Sequence, residues 1–60
     1  MTILIVDDHP IVRKGIHALL ASAFADAEVM DASCLKEAEE ACSTRDVNIM
    51  ITDLDLNGES

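Results

Sequence analysis

Basic residues are scarce in this chain. Arg13, Lys14, Lys36 and Arg45 stand against twelve acids, for a net charge of −8. A nucleic-acid-binding surface needs a basic face, and four scattered cations cannot build one. The acidic balance points instead to cations, basic protein partners or solubility. Tryptophan and tyrosine are missing, and Phe24 is the one aromatic residue. The apolar half of the composition is therefore almost all aliphatic, which is globular rather than disordered. Cysteine is limited to Cys34 and Cys42. Eight residues apart on one helix, they are separated by roughly 12 Å of rise. A disulfide needs Cα atoms within about 7 Å, so the two read as small core or half-buried residues in a reducing cytosol. "MTILIV" lacks a basic leader, and no apolar run approaches the length of a membrane span, so a cytoplasmic chain is expected. Repeats, low-complexity tracts and linkers are missing as well, and sixty residues make at most one small domain.

What is present reads as β-α-β-α-β. Ile3 to Val6 is an unbroken run of strand formers that stops at Asp7-Asp8. Pro10 suits the first turn of a helix, with Asp8 or His9 as its cap. Val12, Ile16, Leu19, Leu20 and Ala23 recur at helical spacing, which predicts a helix from about Pro10 to Phe24 with that stripe in the core. Glu28 to Ala32 is a weaker strand. Ser33 can cap a second helix running to about Ser43, with Leu35, Ala38, Ala41 and Cys42 on one side and Glu37, Glu39 and Glu40 towards water. Val47 to Ile51 is a second strong strand, ending at Asp53. Strands alternating with helices imply parallel pairing through right-handed crossovers. The two apolar strands read as central, and the middle one as an edge.

That order gathers acids. Asp7 and Asp8 follow the first strand and Asp53 follows the third. If those strands are neighbours, about 4.8 Å apart, three carboxylates converge at the carboxyl end of the sheet, where open α/β sheets place their ligands. Repulsion makes such a cluster costly unless a cation binds. A small set of hard oxygen donors suits Mg²⁺, which completes its octahedron with water and phosphate oxygens.

"ILIVDDHPIVRKGI" followed by "VNIMITDLDLNGES" resembles the receiver domain of bacterial two-component response regulators. "DDHPIVRKG" is most similar to the subfamily whose output is a LuxR-type helix-turn-helix. The resemblance runs from end to end of residues 1–60 but covers about the amino-terminal half of a receiver. It implies a flavodoxin-like doubly wound parallel sheet with the first strand between the second and third. It implies phosphorelay signalling, with Asp53 as the phosphoacceptor for a sensor histidine kinase. Asp7 and Asp8 match the Mg²⁺-binding pair, Asp53 itself contributes to the metal site, and Asp55 matches the position whose backbone carbonyl ligates the metal. The chain would then be a phosphoacceptor taking part in its own aspartyl phosphorylation, not an enzyme acting on other substrates. Transcription would be regulated, and DNA met, through an output domain outside these residues, and any dimer would form through regions also outside them. The family's Ser or Thr after a fourth strand, its Lys after a fifth and its aromatic switch residue have no counterpart here. Asn57-Gly58 replaces the usual Pro-Gly after the acceptor, and Asn tolerates that turn geometry.

Other readings are open to test. "DLDLNG" fits the start of a calcium-binding EF-hand loop, but that loop follows a helix, and "VNIMIT" is rich in β-branched residues. Asp53-Leu54-Asp55 also fits a haloacid-dehalogenase-type phosphohydrolase, which would leave Asp7 and Asp8 without a purpose. A chain ending at Ser60 would expose an edge of the third strand. It would then act as a cation- or partner-binding fragment that cannot switch. His9 reads as a helix-start residue beside the acids, and His17 as solvated. Arg13 and Lys14 read as an exposed face, near the surface that docks the kinase in the family.

Overall fold

Four consecutive aliphatic side chains bring β1 (Thr2–Val6) to the middle of the protein. Ile3 is 1 % exposed, and Leu4, Ile5 and Val6 are completely covered. The computed structural model describes residues 1–52. Within them the chain runs β1, α1 (Pro10–Ala23), β2 (Glu28–Ala32), α2 (Leu35–Thr44) and β3 (Ile49–Thr52). The sheet is parallel, in the order β2-β1-β3, with Ile5 opposite Asp31 on one side and Ile51 on the other. This is the α/β, doubly wound arrangement expected from the sequence. The first crossover moves outwards from β1 and the second returns across it, so right-handed connections put α1 and α2 on opposite faces.

The strand period divides β1 between those faces. Leu4 and Val6 form one buried cluster with Ala32 and with Ala38 of α2, and Met30, Ala41 and Val47 pack around it. Ile3 and Ile5 take the other face, on the α1 side. Both helices lie over β1 and β2.

β3 departs from expectation. Its apolar run reads as a strand buried on both faces, yet all four of its residues are exposed, Met50 by 48 %. α2 only flanks it, its Leu35, Ala38 and Cys42 lining an open groove with Met50, and among the described residues no strand pairs with its outer edge. An apolar run shows that a strand can be covered, not that a cover is in place. Asn48 starts the pairing: its N–H donates to the Thr2 carbonyl at 2.9 Å, and its Oδ1 accepts from the Thr2 N–H at 2.8 Å.

The stripe on α1 is likewise only half used. Ile16 and Leu20 are partly buried, whereas Val12 and Leu19 are exposed, and no residue of α1 is fully buried. Pro10 opens the helix as expected, but neither Asp8 nor His9 supplies a side-chain cap, His9 being the extended residue at the cap position. On α2 the cap position falls to Cys34 rather than Ser33. Glu37 reaches back instead, accepting from the Ser33 N–H at 2.7 Å and its hydroxyl at 2.8 Å, a capping box displaced by one residue. Those two donors, the backbone one first, hold the Glu37 carboxyl below the usual range. Cys42 is exposed rather than half-buried, while Cys34 is partly covered.

Candidate functional site

The carboxyl end of β1 delivers two acids in succession. Asp7 is 5 % exposed, and Asp8 is partly buried. The backbone of Asp7 is held on both sides. Its N–H donates to the Ala32 carbonyl of β2 at 3.0 Å. Its carbonyl accepts from Arg13 Nη1, in the first turns of α1, at 2.7 Å. A buried residue whose two peptide groups are both paired has little freedom to move.

His9 closes over the acids. Its backbone N–H donates to Asp7 Oδ1 at 2.8 Å, and its ring Nδ1 lies 2.8 Å from the same oxygen. The ring nitrogen is also 2.9 Å from Asp8 Oδ1, an ion-pair distance without hydrogen-bond geometry. Asp8 Oδ1 is thus enclosed and, among the described residues, has no hydrogen-bond donor. The His9 N–H, then its ring, hold the Asp7 carboxyl below the usual range. Burial opposes that shift, and the neighbouring charges of His9 and Arg13 assist it. Asp7 is therefore ionised at neutral pH beside a second carboxylate.

Ligand atoms of Asp7, Asp8 and His9 all lie within 4.8 Å of one another, a set able to hold a metal ion. The residues fit Mg²⁺. An ionised carboxylate and an enclosed oxygen without a donor among the described residues are what a hard cation of this size accepts, and it needs only one or two protein carboxylates. An imidazole is the poorer partner for such an ion. The structure thus brings together Asp7 and Asp8 as expected. Asp53 and Asp55 lie outside the described residues. Thr52, which directly precedes Asp53 in sequence, is the register partner of Val6, which directly precedes Asp7.

Two side chains differ from the sequence reading. Arg13 is not part of an exposed face: its side chain is only 19 % exposed and lies between the Asp7 carbonyl and Asp31, with Nε 3.9 Å from Asp31 Oδ2. His17 is not simply solvated, since its Nδ1 is 2.7 Å from Asp31 Oδ1. The one signal for Arg13 was its position six residues after Asp7, at the start of the helix that must fold back along the same strand.

Residues 3–60 match the family model of the response regulator receiver domain. The chain is 34% identical to the response regulator UvrY of Escherichia coli K12 over 58 residues, which is 97% of this chain and 27% of that protein. The same identity and coverage hold for the response regulator UvrY of Shigella flexneri. A glycerol metabolism activator of Pseudomonas putida is 35% identical over 57 residues, covering 93% of this chain and 26% of the relative. The chain thus spans about a quarter of the length of the curated relatives it matches. No solved structure gives a significant match.

Proposed function

The chain belongs to the response regulator receiver domain family, and from that membership we propose that it accepts a phosphoryl group on Asp53 from a sensor histidine kinase. The observation that carries this reading is the parallel register that sets Val6 opposite Thr52. Asp7 follows one of these residues in sequence and Asp53 follows the other. The Asp53 carboxylate attacks the phosphorus of a phosphohistidine. The P–N bond breaks, the imidazole leaves with a proton, and an aspartyl phosphate remains.

Asp7, Asp8, Asp53 and the backbone carbonyl of Asp55 would hold Mg²⁺. When bound there, it would offset the charge that builds on the transferring phosphoryl group. The chain's own contribution is positioning: β2 and α1 fix Asp7, and Asp8 turns an enclosed oxygen with no hydrogen-bond donor among the described residues towards the His9 ring. The chain is a phosphoacceptor rather than an enzyme with a separate substrate. In the parent protein the switch regulates transcription in the cytoplasm, and DNA is met through a LuxR-type output domain outside these residues. A relative named for activating glycerol metabolism accords with such a regulatory output. Among the described residues, no helix is long and apolar enough to cross a membrane.

The exposed faces of β3 favour a second reading for the 60-residue chain itself, a fragment that binds the cation without switching. Intact-mass measurement after incubation with Mg²⁺ and acetyl phosphate tests both. Slow gain of one phosphoryl group by the wild type and none by Asp53→Asn supports the first reading. Mg²⁺ binding with no mass gain supports the second. Equal gain by both chains removes Asp53 from the role.

A further inference from the structure

Asp7 owes its carboxylate position to its backbone, and the backbone is gripped from outside the strand. The grip on the β2 side is ordinary sheet pairing, Asp7 N–H to the Ala32 carbonyl. The grip on the other side is a side chain, Arg13 Nη1 on the Asp7 carbonyl at 2.7 Å. A charge-assisted bond to a buried carbonyl is stronger than a neutral one. The guanidinium is itself braced, with Nε 3.9 Å from Asp31 Oδ2, and Asp31 Oδ1 lies 2.7 Å from His17 Nδ1. Asp31 stands on β2 and His17 on α1, so the brace ties the helix to the neighbouring strand two turns from the acids. Arg13 is mostly covered, at 19 % side-chain exposure, and a long cation is rarely buried without a partner.

We propose that Arg13 is a positioning residue for the acid pair, holding the Asp7 peptide so that the Asp7 carboxylate faces the ion site, with Asp31 as its brace. The fork of the guanidinium reaches the carbonyl and Asp31 together. A lysine ammonium can serve one of them well but not both. This inference rests on the Mg²⁺ reading for its functional consequence but not for the positioning itself. The positioning has its own signature, because the His9 N–H donates to Asp7 Oδ1. If the carboxylate turns away, the His9 amide loses its acceptor.

The experiment compares amide NMR spectra of the whole chain as wild type, Arg13→Lys and Arg13→Ala, each titrated with Mg²⁺. The Asp8 amide nitrogen, which shares a peptide with the Asp7 carbonyl, reports directly on the hydrogen bond. In Arg13→Ala the His9 amide proton is expected to move upfield before any metal is added, and Mg²⁺ affinity is expected to fall by about tenfold, the usual cost of losing an outer support. Arg13→Lys should fall between, and it carries the test if Arg13→Ala does not fold. An unmoved His9 amide in a folded variant overturns the proposal, as does Mg²⁺ affinity within a factor of about two of the wild type. If the wild type binds no Mg²⁺ while the His9 amide still moves on substitution, the metal reading fails and the positioning of Asp7 stands.

Discussion

The backbone N–H of His9 and its ring nitrogen both converge on one oxygen, Asp7 Oδ1, each at 2.8 Å. A residue at the start of α1 thereby stabilises the charge of a buried carboxylate at the end of β1. The energetics of the site follow from which form of Asp7 those donors favour.

Acid should loosen this corner first. Asp7 has its carboxyl lowered, chiefly by the His9 N–H, and Glu37 has its own lowered by the Ser33 N–H. Both groups bind a proton more weakly in the folded chain than in the unfolded one. Their contribution is fully present above the ordinary carboxylate pKa, about 4, and is lost as pH falls through the lower folded values. Circular dichroism between neutral pH and strong acid should show stability falling below about pH 4. Asp7→Asn should flatten that limb, and an unchanged slope would remove Asp7 as its source.

Truncation should divide the strands sharply. Leu4 is fully covered within the cluster that includes Val6, Ala32 and Ala38. Leu4→Ala is expected to cost about 2–5 kcal/mol, enough to unfold so small a chain. Met50→Ala, on an exposed strand, should stay within about 1 kcal/mol of the wild type. Urea titration of the two variants separates them, and similar midpoints would contradict the burial described for β1 and β3.

Surface ion pairing should matter little. Arg45 Nη1 lies 2.7 Å from Glu28 Oε1 with both side chains well exposed. Arg45→Ala is expected to lose no more than about 1 kcal/mol, and molar salt should erase the difference. Thermal unfolding at two salt concentrations measures this, and a larger, salt-resistant loss would mean that Arg45 packs as well as pairs.

Phosphorylation should separate from metal binding. Asp53→Asn is expected to abolish aspartyl phosphate formation while Asp7 and Asp8 still respond to Mg²⁺ within about a tenfold change in affinity. Amide shifts and intact mass on the same sample read the two properties together. Loss of all Mg²⁺ response in that variant would make Asp53 the principal ligand.

The element order and the pairing of Asp7 with Asp8 were legible because both are written in short runs. Four aliphatics stop at two acids, and a proline starts a helix. β3 was misread because Ile49 to Ile51 looks like Ile3 to Ile5 in composition, and the presence of a covering layer depends on residues elsewhere. Arg13 was misread for a different reason. Helical spacing assigns it to the polar side, and its burial appears only once α1 folds back along β1 and Asp31 arrives from β2. The strand order itself came through the family resemblance rather than from periodicity.

Among the described residues, the hydrogen bonds that fix Asp7 come from Ala32, Arg13 and His9, all within residues 7–32. The cradle of the acid pair is therefore a local product of the first strand, the first helix and the second strand. A chain emerging amino terminus first presents all of those parts before Ile49 is made. The segment that must close, from Asp7 to Ala32, is mostly helix and strand, and the cost of closure grows only slowly with its length. In order of synthesis, then, the acid cradle can be ready before the segment that carries Asp53 arrives.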